Sequence, residues 1–85
     1  SQRLIQRIKG GLIPAVEVMI ATPAVRTLVR DNRPRQLDLV IETSQDVGMI
    51  PMDRSLADLV RKKEISIDKA KFYSSNPMEL TNQLR

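Results

Sequence analysis

The sequence predicts an α+β fold: an N-terminal β-hairpin followed by a small bundle of about five short helices. Three observations carry that expectation. Residues 3 to 20 show a partial period of two around a Lys9-Gly10-Gly11 turn. From Ala21 onward the apolar residues recur at helical spacing instead. Helix-start signals then follow at Thr22-Pro23, Pro51, Ser66 and Asn76-Pro77.

In the predicted hairpin, Arg3, Ile5 and Arg7 alternate with Leu4, Gln6 and Ile8. Gly10 and Gly11 suit a turn because positive φ costs them nothing. Ile13 to Ile20 is rich in β-branched residues, and Pro14, lacking an N–H, belongs at a strand start or on an edge. No strand pairing is expected after residue 21. The first helix is expected over Pro23 to Asp31, with Thr22 as its N-cap and Pro23 at its first position. Asn32-Arg33-Pro34 ends it, since a residue before proline is biased away from the helical region. The second helix is expected over Arg35 to Asp46, with Leu37, Val40 and Ile41 on one face and Gly48 just past its end. The third follows Pro51 and runs to about Lys63, with Leu56, Leu59 and Val60 as its apolar stripe and Asp58 paired with Lys62. Ser66 caps a fourth, short helix. Asn76-Pro77-Met78-Glu79 opens the last with a capping-box pattern.

With 85 residues the chain has a thin core, and with Phe72 and Tyr73 as its only aromatics that core is aliphatic. It contains no Cys and no His, which excludes disulfides, Cys- or His-based metal sites and Ser/His/Asp or Cys/His catalytic sets. No G-x-x-x-x-G-K-[ST] loop is present to cradle nucleotide phosphates. No leader is visible, and the apolar run Leu12 to Val25 is broken by Pro14, Glu17 and Pro23 and is too short to span a bilayer. The net charge of +4 suits an anionic partner and selects none.

The stretch that stands out is Thr22 to Gln36. Val25, Leu28 and Val29 fall at i, i+3 and i+4 on one face, expected to hold the helix to the body. Arg26 and Arg30 share another face, and Arg33 and Arg35 follow, with Asp31 the one acid among them. A solvated charged face is the plainest explanation of such a run.

Residues Ala24-Val25-Arg26-Thr27-Leu28-Val29-Arg30-Asp31 resemble the AIRNLIRE block of the pilus-retraction (twitching-motility) ATPases, with Ala24, Arg26, Leu28 and Arg30 identical. Ser1-Gln2 and Leu4, then Ala15, Glu17, Val18, Met19 and Ile20, then Ile41, Thr43, Gly48, Met49 and Asp53 follow that family's pattern in order. Leu12, Ile50-Pro51, Thr27, Asp31 and Asn32 depart from it. The resemblance implies a C-terminal fragment, with residues 1–21 as the terminal strands of a RecA-like ATPase core and residues 22–85 as a helical C-terminal region. It also implies a parent that is a cytoplasmic homo-hexamer using ATP and Mg²⁺. That parent would sit peripherally at the inner membrane against the platform proteins of the pilus base. The nucleotide loop and catalytic acids would lie upstream, so this chain holds no catalytic residue, cofactor or metal of its own. The retraction role would fall on Ala24, Val25, Arg26, Leu28, Val29, Arg30 and Asp31.

Two alternatives stand beside this one. The segment could serve a pilus-extension or type II secretion ATPase, relatives that generally lack a good AIRNLIRE match. Or it could be a small basic nucleic-acid-binding or adaptor module. Against nucleic acid, the chain has almost no aromatic surface for base stacking and no glycine-turn helix-turn-helix pattern. No nucleic-acid partner and no membrane insertion are expected.

Without a phosphate loop, these residues offer no cradle for a nucleotide. Titrated with ATP and Mg²⁺ in a calorimeter, this chain should show no saturable binding. A stoichiometric isotherm would refute the expectation.

Overall fold

A computed structural model describes residues 2–85; Ser1, part of the segment 1–21, lies outside the described residues. Two antiparallel strands, β1 (Gln2–Gln6) and β2 (Leu12–Val16), lead into five helices. These are α1 (Pro23–Arg30), α2 (Pro34–Thr43), α3 (Met52–Arg61), α4 (Ile67–Tyr73) and α5 (Pro77–Gln83), with a single 3₁₀ turn, Gln45–Val47, between α2 and α3. The α+β class and the order of elements agree with the expectation.

The strands pair Arg3 with Ala15 and Ile5 with Ile13. Gly10 and Gly11 both take positive φ in the turn, which closes with the Arg7 N–H donating to the Gly11 carbonyl at 2.9 Å. The turn is pinned to the α3–α4 connection. Ile8 N–H donates to the Glu64 carbonyl, and Arg7 Nε lies 3.0 Å from Glu64 Oε2. That contact is out of line for a hydrogen bond and acts as charge–charge attraction. Ile5 and Ala15 then bury against Leu56, Ala57, Ile65, Ala70 and Leu80, which form the main core. A second, separate cluster joins Val25 and Ile41 to Met49.

The hairpin is shorter than the expected 3 to 20, and pairing does continue past residue 21. β2 stops at Val16, where the Ser55 hydroxyl takes over both backbone groups. It donates to the Val16 carbonyl at 2.7 Å and accepts the Val16 N–H at 3.2 Å. Two residues on, Val18 and Ile50 exchange backbone hydrogen bonds of 2.9 Å in an isolated antiparallel bridge. The expectation of no later pairing fails because buried backbone groups must find partners wherever the fold brings them. Here the turn after α2 delivers Ile50.

Local signals fix the helix starts. Thr22 accepts from Val25 N–H, Ser66 from Lys69 N–H, and Asn76 from Glu79 N–H. The capping box at Asn76 is half built, because Asn76 N–H donates to the Ser74 hydroxyl. The expected second helix splits. It ends at Thr43, whose hydroxyl bonds back to the Leu39 carbonyl, and a 3₁₀ turn continues to Gly48 at φ 98°. Asp58 pairs with Arg61 at 3.1 Å instead of Lys62. Arg61 also donates to the Gln83 carbonyl at 2.8 Å, which ties the end of α3 to the end of α5.

Helices α1 and α3 end alike. Arg33 N–H reaches back to the Leu28 carbonyl, and Asn32, at φ 52°, donates to Val29. Glu64 N–H reaches the Leu59 carbonyl, and Lys63, at φ 60°, donates to Val60. This pattern normally places glycine at the left-handed residue. Asparagine tolerates that conformation by bonding locally; lysine has no such relief. Lys63→Gly should therefore stabilise the chain by about 0.5–1 kcal/mol. Lys62→Gly, at a right-handed position, should destabilise it by a similar amount. Thermal unfolding of the two variants checks the sign of each, and a lower melting temperature for Lys63→Gly would contradict the argument.

Candidate functional site

The candidate site is α1 and the corner that joins it to α2. Thr22 and Pro23 start the helix, and the left-handed Asn32 turns the chain so that Pro34 can open α2 at its first position. The two helices pack on each other through Val25 and Ile41, both 2% exposed, with Leu37 and Val40 flanking them.

Only Val25 of the expected apolar stripe does the anchoring. Leu28 is half-buried and lies outside the cluster, and Val29 is 55% exposed. The expectation that Leu28 and Val29 hold the helix to the body is corrected on this point. The reason is geometric: among the described residues α1 packs extensively on α2 alone, so the strip it can bury is narrower than a stripe at i, i+3 and i+4.

Arg26 and Arg30 are both exposed, four residues apart on one side of α1. Arg30 Nε is 3.4 Å from Asp31 Oδ1, and both side chains are largely in solvent. An exposed pair of this kind contributes at most about 1 kcal/mol and leaves the guanidinium available. Arg26 makes no ion pair among the described residues. Ala24 and Asp31 are exposed, with Asp31 serving as the helix C-cap. Thr27, where the block has asparagine, turns its hydroxyl back to the Pro23 carbonyl at 3.0 Å and offers nothing outward. Arg33 and Arg35 flank Pro34 at the corner and border a shallow concavity with Gln36. The outward surface is thus a row of planar cationic forks around an exposed valine, suited to carboxylates or carbonyls on an opposing protein.

Two further surfaces were not read from the sequence. The outer face of the hairpin exposes Leu4 (56%), Leu12 (63%) and Val16. A cleft of about 360 Å³ also opens between α2 and the α3–α5 group, with Ile41, Pro51 and Met52 among its lining residues and carboxylates on both walls. The alternation of β1 and β2 could have revealed the first. The second depends on how distant helices are set, which no local pattern encodes. Among the described residues, no acidic group forms a metal-binding cluster, and no helix is long and apolar enough to cross a membrane.

No protein-family model matches the chain. It is similar, however, to the type IV pilus retraction ATPase PilT of Pseudomonas aeruginosa, at 42% identity over 77 residues, 91% of this chain and 22% of that protein. A twitching motility protein of Neisseria gonorrhoeae is 40% identical over 77 residues, covering 89% of this chain and 21% of the relative. An uncharacterized Escherichia coli protein, YggR, is 42% identical over 55 residues, 65% of this chain. The chain spans about a fifth of the length of the first two relatives. Over some nine-tenths of its residues, this chain is a relative of the type IV pilus retraction (twitching-motility) ATPases.

Proposed function

We propose that this chain is the C-terminal region of an ATP-driven motor of the pilus-retraction kind, and that α1 couples the motor to retraction. The observation that carries the reading is the similarity to PilT along nine-tenths of the chain, taken with the exposed Arg26 and Arg30. In this reading residues 1–21 close the sheet of a RecA-like core and residues 22–85 form the helical region behind it. The apolar outer face of the hairpin supports that division, because a face carrying Leu4, Leu12 and Val16 is suited to burial. ATP and Mg²⁺ would be handled by parts of the parent outside this chain. The parent would work as a homo-hexamer at the cytoplasmic side of the inner membrane, against the platform proteins of the pilus base.

The chemistry assigned to α1 is a contact that forms and releases in each cycle. Exposed arginines on a short helix suit it. They bind carboxylates through paired donors, and binding does not require the core to open. Ala24, Val25, Leu28, Val29 and Asp31 complete the segment, with Val25 as its anchor and Val29 as an apolar contact between the charges.

The test is made in the full-length parent. Arg26→Ala with Arg30→Ala should abolish pilus retraction while hexamer assembly and most ATPase activity remain. Truncating exposed side chains changes stability by about 0.5 kcal/mol or less, so a lost function would report a lost contact. Val25→Ala should behave differently, costing about 2 kcal/mol by opening the small α1–α2 core. Melting temperature, ATPase rate and twitching are measured for both. Normal twitching by the double arginine variant defeats the coupling role, and unfolding comparable to Val25→Ala makes the arginines structural.

A further inference from the structure

The two hydrophobic clusters share no residue. Val25, Ile41 and Met49 close one, and Ile5, Ala15, Leu56, Ala57, Ile65, Ala70 and Leu80 close the other. The packing of elements divides in the same place. α1 lies on α2 and α2 on the 3₁₀ turn, while α3 lies on β2, α4 and α5, and among the described residues no extensive helix or strand contact joins the two groups. Two links between the groups stand out. One is the Val18–Ile50 bridge, and the other is an exposed hydrogen bond of 3.0 Å from Arg54 to the Gln45 side-chain oxygen. An exposed side-chain hydrogen bond competes with water and restrains its partners weakly.

Between the groups lies the cleft. Asp38 and Glu42 stand on its α2 wall, Asp53, Arg54 and Glu79 on the opposite wall, and Glu17 beside the bridge. Asp53 is held by the Ser74 hydroxyl and Ser75 N–H. Two carboxylates on each wall, Asp38 and Glu42 against Asp53 and Glu79, thus face each other across the cleft with a single arginine. A space of that volume is of the order of one Debye length across, about 8 Å in physiological salt, so the walls feel each other's charge.

We propose that residues 22–49 form a hinged arm that swings as a unit about the Val18–Ile50 bridge and opens or closes this cleft, with the facing carboxylates holding it open. The arm has its own small core, so it moves without unpacking the body. Local opening of a unit with few buried contacts costs less than global unfolding. It carries Arg26, Arg30, Arg33 and Arg35, so its angle sets where the cationic surface points. The inference rests on the division of the core and holds whatever the arginines bind.

The chain has no native cysteine, so two nitroxide labels can be placed cleanly at Arg35→Cys on the arm and Lys62→Cys on the body. Pulsed electron resonance should give a broader distance distribution than a control pair at Lys62→Cys and Lys71→Cys, both on the body. Adding Asp38→Asn and Glu79→Gln should shift the arm–body distance shorter. A narrow distribution, or one that these two substitutions leave unchanged, overturns the hinge. Hydrogen exchange supplies the second reading. Val25→Ala should lower protection across α1 and α2 by about tenfold or more and leave α3 to α5 unchanged. An equal loss in both groups would mean one cooperative unit and no arm.

Discussion

A hairpin of two strands is marginal in water on its own, and the placement of α3, α4 and α5 answers to that constraint. Ile5 and Ala15 need a cover, and α3 provides it with Leu56 and Ala57, all of them essentially inaccessible to solvent. α4 and α5 then close the far side of α3 through Ala70 and Leu80. The small residues matter as much as the large ones. Ala15 and Ala57 let α3 lie close to β2, and Ala70 of α4 sits in the same core, which suits a chain with little aromatic volume to fill gaps. Arg61 secures the arrangement from outside by holding the Gln83 carbonyl at the end of α5.

How much of this was legible in the sequence depends on the range of the interaction. Thr22, Ser66 and Asn76 each act on an N–H three residues away, so their caps could be read directly, and the helices begin where those residues stand. The Gly10-Gly11 turn was legible for the same reason. The Val18–Ile50 bridge was not, because it joins residues that only the intervening helices bring together. The exchange of Lys62 for Arg61 as partner of Asp58 has a similar origin: a second acceptor on α5 fixes the arginine in reach.

At the candidate site, the positions of Arg26 and Arg30 were legible from their spacing, and the fate of the apolar stripe was not. Periodicity states which residues share a face; it does not state how wide a neighbour covers that face. Val25 is buried and Val29 exposed because α2 is the only helix α1 packs on extensively. The result is a division of labour within two turns of helix. One valine fixes the segment, Leu28 is half-buried beside it, and the remaining surface is exposed, where a partner can reach it.

Ser55 of α3, which meets the end of β2, limits how this sheet can be extended. Val16 spends its outward N–H and carbonyl on Ser55, Val18 spends its own on Ile50, and Pro14, which faces the same way in the two-residue repeat, has no N–H to give. Three successive rungs on that side are therefore occupied or missing. Among the described residues, the outer side of β1 carries no such block until Ile8, beyond the strand's end, donates to Glu64. Any further strand, from this polypeptide or another, must be added next to β1, so the sheet has a direction of growth imposed by one hydroxyl, one bridge and one ring.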